Sequence, residues 1–193
     1  MNILGARDFI INKLKNDLSP LYYYHNVAHT EDVHEAVVKL AKNERLSEQE
    51  QLLIETAAYY HDAGILVKYI GHEEESVKIV KEVLPNFGYS DTDIASITGM
   101  ILSTYINGRV DTLAKKILCD ADLDYIGRPD YFIIAQRLRL EWNIMGEPSS
   151  LKDWYISQVK YFENHNYFTQ SAIQMRNKGK EENLHQIKEL LSL

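Results

Sequence analysis

The residues best suited to chemistry are His61 and Asp62, an imidazole followed directly by a carboxylate in the run Tyr59-Tyr60-His61-Asp62. Standing where an apolar helix is predicted to end, they offer a neutral nitrogen and an anionic oxygen to a divalent cation from neighbouring positions. The pair alone says little, because a chain with several histidines and many aspartates produces such neighbours by chance. Two other segments add weight to it. Upstream lies Tyr24-His25-Asn26-Val27-Ala28-His29-Thr30, and downstream lies Ile117-Leu118-Cys119-Asp120-Ala121-Asp122-Leu123. Each opens or closes a predicted helix, so three segments can deliver His29, His61 with Asp62, and an aspartate of the third segment to one ion. Asp120 and Asp122 compete for that last place, since residues two apart on a helix point about 200 degrees apart and only one can face the ion.

Two imidazoles with two carboxylates form a mixed donor set that suits Mn, Fe, Co, Ni or Zn better than Ca or Mg. The two carboxylates also balance a divalent charge. On an octahedral ion, four protein ligands leave positions for water and a phosphoryl oxygen, as a metal-dependent hydrolase requires.

Other polar residues admit two readings each. His25 can contact a phosphate or a leaving group, or it can hydrogen-bond the start of the following helix. Lys68 and Arg128 are the nearest cations in sequence to the predicted ligands, suited to clamping phosphate oxygens or to lying solvated on the surface. Cys119 has no neighbouring cation to lower its pKa and is expected in the core. His34 and His185 are expected at the surface, and His165 to pack the C-terminal helix against the rest.

The elements that must position these residues follow from apolar spacing and from caps. Ile3, Ala6, Ile10, Leu14 and Leu18 predict a first helix stopped by Pro20, and Val33, Val37, Leu40 and Ala41 give one face of a second from about Val27 to Leu46. Ser47 with Glu50 forms a capping box for a third helix, apolar nearly all round and so expected at the centre. A helix begins at His72-Glu73-Glu74-Glu75-Ser76 and another after Ser90-Asp91-Thr92-Asp93. Asn107-Gly108 is expected as a loop and Asp111 as the cap of the helix leading to Asp122. Helices follow over Tyr131 to Met145, Leu151 to about Tyr161, and from Thr169 onward, with Trp142 and Trp154 packing on the core. No alternating strand pattern occurs, so the fold class is all-α, a bundle of eight or nine helices.

The chain has 193 residues with 45% hydrophobic and 25% charged side chains, the length and composition of one ordinary globular domain. A net charge of -7 with no arginine-lysine run argues against nucleic acid as partner and for a small phosphate-bearing molecule met by a metal or a few local cations. One cysteine, no secretory leader and no apolar run of membrane-spanning length lead to the expectation of a cytoplasmic protein without a membrane partner. A homo-oligomer is left open.

The order His, then His-Asp, then Asp resembles the HD superfamily of metal-dependent phosphohydrolases, in particular small stand-alone bacterial proteins that share Tyr-His-Asn-x-x-His, His-Asp followed by His-Glu-x-x-Ser, and Asp-Ala-Asp-Leu. The likeness spans about residues 20 to 145, with the C-terminal helices over 149 to 193 expected to pack on that core. It implies His29, His61, Asp62 and Asp122 as the metal ligands, with Asp120 as the fallback ligand and otherwise a supporting or capping carboxylate. Asp62 then also acts in catalysis, and His72 and Glu73 hold a second ion or move protons. The chain lacks the second His-His pair of the cyclic-dinucleotide branch and the extra histidines of the di-iron oxygenases. The implied function is hydrolysis of a small phosphate ester, nucleotides first, with a non-hydrolytic metal- and nucleotide-binding signalling module as the second reading.

Overall fold

Apolar residues recur at helical spacing along most of the chain, and the computed structural model, which describes residues 1–105, 108–146 and 148–192, folds accordingly. Its described residues form nine α-helices and no strand: α1 (Ile3–Asp17), α2 (Val27–Asn43), α3 (Glu48–Tyr60), α4 (His72–Val83), α5 (Asp91–Thr104), α6 (Leu113–Asp122), α7 (Tyr131–Met145), α8 (Leu151–Asn164) and α9 (Gln170–Ser192). Short 3-10 turns at Ala63–Leu66, Leu84–Phe87 and Asp124–Gly127 link α3 to α4, α4 to α5 and α6 to α7. Asn107, half of the expected loop, lies outside the described residues. None of these helices is long and apolar enough to cross a membrane.

The third helix occupies the centre. Ile54, Ala57, Ala58, Tyr59 and Tyr60 are buried, and α3 packs against α1, α2, α5 and α6. Its start is fixed by the reciprocal capping box of Ser47 and Glu50, and α5 begins on the matching pair Ser90 and Asp93.

Three expectations about elements need correction. Thr112, not Asp111, caps α6, its hydroxyl accepting from the Lys115 N–H, while Asp111 pairs with Lys115 and Arg109. The second helix stops at Asn43 rather than near Leu46, because Arg45 takes a left-handed φ of 60° and turns the chain. Trp154 is buried, but Trp142 is 38% exposed and only sets its ring edge-on against Trp154, since the inward position beside it is taken by Glu141. His34 also differs from the surface residue expected, lying half-buried with its ring stacked on Tyr59 and Nε2 3.2 Å from Glu55.

Two close backbone approaches hold the segments around the site. Gly64 sits against α4 so tightly that a Cβ there would lie 1.9 Å from the His72 carbonyl oxygen. Its N–H donates to Ser76 Oγ at 2.8 Å. Gly179 of α9 rests on Gly127 in the same way, a Cβ falling 2.2 Å from the Gly127 carbonyl oxygen. Arg176 grips Asp124 with two hydrogen bonds of 2.6 and 3.0 Å, and Asn183 donates to the carbonyls of Ile126 and Arg128.

Candidate metal centre

Each of the three segments reaches the site through a helix end. Asn26, extended and capping α2 through the Ala28 N–H, starts the helix so that His29 falls in its first turn, buried. The last turn of α3 ends at Tyr60, and His61 keeps helical angles, which lets its Nδ1–H donate to the Ala58 carbonyl at 2.8 Å. A carbonyl only accepts, so Nδ1 carries the proton and Nε2 presents its lone pair to the site. Asp122 is the last residue of α6.

The donor atoms converge. His29 Nε2 and His61 Nε2 are 3.3 Å apart. Asp62 Oδ2 lies 3.3 Å from the first and 3.1 Å from the second, and Asp122 Oδ1 lies 3.2 and 3.5 Å from the same two atoms. Ligands at about 2.1 Å from an ion stand roughly 3.0 Å apart at octahedral right angles and roughly 3.4 Å apart in a tetrahedron, so these spacings are those of a set of donors around a common centre. Asp62 Oδ2 is buried and, close as it is to both rings, receives an aligned hydrogen bond from neither. A buried carboxylate oxygen without a donor is costly unless a cation meets it. The residues present therefore fit a divalent ion of borderline character.

The electrostatics point the same way. Burial by itself would push the imidazoles of His29 and His61 down, yet the closeness and negative charge of Asp62 and Asp122 raise both. Burial would raise the two carboxyls, and the surrounding rings instead hold both below the usual carboxylate range. The cluster draws positive charge onto itself, which a divalent ion supplies in one place.

A second group of donors adjoins the first. Atoms of His25, Asp62 and His72 lie within 4.8 Å of one another, the same limit that His29, His61 and Asp122 satisfy, so the described residues include two neighbouring His/Asp clusters able to accept one or two divalent ions. His72 opens α4, donates from Nδ1 to the Tyr69 carbonyl at 2.7 Å and places Nε2 3.2 Å from Asp62 Oδ1. Burial works against its charged form, but Asp62 outweighs this and pushes the pKa up to about 9. Glu73 lies behind it, Oε1 3.9 Å from His72 Nε2 and Oε2 buried without a partner.

Sequence reasoning missed Glu141. Fully buried on α7, it accepts from the backbone N–H groups of Tyr24 and His25 at 2.8 and 3.0 Å and makes a very short contact with His25 Nδ1. A signal for it exists: Ile134 and Leu138 set an apolar stripe that at helical spacing reaches position 141, where a carboxylate stands instead.

The remaining candidates separate. Asp120 points away from the cluster and accepts from the Phe168 N–H, the Thr169 N–H and the Thr169 hydroxyl at 2.7 to 2.8 Å, so it anchors the turn in which Thr169 caps α9 through the Ala172 N–H, while Asp122 faces the histidines. Lys68 is exposed and its ammonium pairs with Glu75 at 3.1 Å. Arg128 lines a cleft that His29 and Asp122 also line, but its guanidinium is held by Asp32 at 2.9 Å and Asp130 at 2.6 Å. Cys119 is buried with its thiol on the Ser103 carbonyl, and burial pushes its pKa up to about 11. His165 ends α8, its carbonyl accepting from Lys180 of α9, which fits the packing role expected of it.

The family model for the HD domain matches residues 26–124. A solved structure from an uncultured Thermotogales bacterium, described as a predicted HD superfamily hydrolase, is 21% identical, covers 98% of this chain and 91% of its own, and superposes with a TM-score of 0.65. A protein of Lactobacillus plantarum is 17% identical over 99% of this chain and 97% of its own, with a TM-score of 0.69. These two likenesses establish the fold. No curated protein matches the chain.

Proposed function

Because the chain belongs to the HD domain family, we propose that it is a metal-dependent phosphohydrolase in which His29, His61, Asp62 and Asp122 hold a divalent transition metal beside a small phosphate ester, nucleotides being the class to test first. The observation that carries this reading is the convergence of two imidazole nitrogens and two carboxylate oxygens at 3.1 to 3.5 Å, one of those oxygens buried without a hydrogen-bond donor. Such an ion, when bound, supplies Lewis acidity, lowering the pKa of water and drawing charge from phosphorus.

The protein's own groups do the rest. The Ala58 carbonyl fixes the tautomer of His61, and His72 steadies the outer oxygen of Asp62. Glu141, itself pinned by two backbone N–H groups, holds the His25 ring by one nitrogen and leaves the other able to give a proton to the departing oxygen. His25 and His72, with Asp62 between them, also form the cluster at which a second ion would sit.

The test is a panel of nucleoside mono-, di- and triphosphates and cyclic nucleotides incubated with Mn or Co, beside Asp62→Ala and a chelated control. Release of phosphate or of an opened cyclic ester by the wild type alone is the expected result. Stoichiometric nucleotide binding with no product after prolonged incubation would replace the hydrolase with a binding module.

A further inference from the structure

We propose that Arg137 is the binding determinant for a second phosphate group on the substrate, one set apart from the phosphate that is cut; this rests on the site reading given above. Arg137 lines the same cleft as His29 and Asp122, one helical turn beyond Ile134, which lines it too. The other charged groups of that cleft are already matched. Asp122 is 3.2 Å from His29, Asp32 is 2.9 Å from Arg128, Asp124 is 2.6 Å from Arg176, and Arg128 also grips Asp130.

Arg137 alone among the described charged residues of the cleft has neither an ion pair nor a hydrogen bond. In a chain of net charge -7, carboxylates are plentiful and the mean field repels anions, so an unmatched guanidinium beside a metal-type cluster is placed to collect an anion. Its planar fork matches phosphate oxygens in a way a lysine ammonium does not.

Exposure separates it from the reacting phosphate. His29 is buried where it lines the cleft, whereas Arg137 is exposed on α7, so the two are placed to address different parts of one ligand. The exposed ring of Tyr23 also lines the cleft and gives the intervening part of the ligand an apolar face. The substrate class that fits is a phosphate ester carrying a separate second phosphate.

Manganese-loaded wild type, Arg137→Ala and Arg137→Lys, matched in metal content and unfolding midpoint, would be titrated calorimetrically with methylphosphonate and with alkane-α,ω-bisphosphonates of increasing length, whose C–P bonds resist hydrolysis. The wild type is expected to prefer at least one bisphosphonate by about tenfold, the alanine variant to lose that preference and the lysine variant to keep part of it. A wild type with no preference, or a preference that survives in the alanine variant, would overturn the proposal. Hydrolysis of esters without any Arg137-dependent preference would reject this inference and leave the phosphohydrolase reading standing; an Arg137-dependent preference in a protein that cuts no ester would do the reverse.

Discussion

Three donors converge on the Asp120 carboxylate, and removing it strands two backbone N–H groups at the start of α9. Asp120→Ala is therefore expected to lower stability by about 2–4 kcal/mol in denaturant unfolding while metal content stays at the wild-type level. Asp122→Ala is expected to differ at the metal: metal binding is lost, and the metal-free protein is destabilised as well, because the rings of His29 and His61 lose a carboxylate partner. Metal contents that change alike in the two variants would show that the pair does not divide its work this way. Glu141→Gln keeps an acceptor for the N–H groups of Tyr24 and His25 but puts a neutral amide where the carboxylate faces the His25 ring, so a doubly protonated, proton-giving ring loses its counter-charge. Turnover of whichever ester the protein cuts should fall about 100-fold, with a displaced pH profile and unchanged metal content. The His29, His61, Asp62 and Asp122 set was legible because helix ends flank each member, whereas Glu141 was not. It stands far along the chain from His25, and only its break in an apolar stripe marked it.

At the scale of elements, α4 carries His72 to Asp62 because Gly64 lets the two backbones touch. Gly64→Ala must push α4 away and is expected to cost more than about 2 kcal/mol, measured by denaturant unfolding. Gly146→Ala, at a φ of +106° with nothing within 4 Å of a new Cβ, should cost only the backbone strain, about 1 kcal/mol. Equal effects would show that close approach is not what Gly64 provides. The junction of α8 and α9 carries a pH dependence of its own. Burial and the charge of Lys180 hold the pKa of His165 down to about 4, and its Nδ1 is buried without a partner. Between its ordinary value of 6.5 and about 4 the unfolded chain takes up a proton that the folded ring refuses, so stability falls as pH drops through that window. The unfolding midpoint should therefore decline from pH 7 to pH 4.5 in the wild type and decline less in His165→Asn. Helix positions were readable from apolar spacing, and the ends were readable where a side chain caps them, as Ser47 and Ser90 do. They were misread where the stop depends on backbone geometry, as at Arg45, or where two polar neighbours compete, as Asp111 and Thr112 do.

Across the whole molecule, a core built around α3 brings together residues from α2, the end of α3 and α6, so ordinary helix packing positions the site and the fold is expected to form without an ion. Chelation is accordingly expected to leave the helical circular dichroism intact while lowering the thermal midpoint by several degrees, the shift that about 2.7 kcal/mol of ligand stabilisation produces at a metal concentration near 100 times Kd. Loss of helix on chelation would mean that the ion is structural. The central claim is that His29, His61, Asp62 and Asp122 surround one ion, and anomalous scattering from manganese-soaked crystals tests it most directly. The prediction is a peak about 2.0–2.3 Å from His29 Nε2, His61 Nε2, an Asp62 oxygen and an Asp122 oxygen, absent in Asp62→Ala. A well-ordered wild-type crystal with no peak there, or with its manganese bound elsewhere, would contradict it.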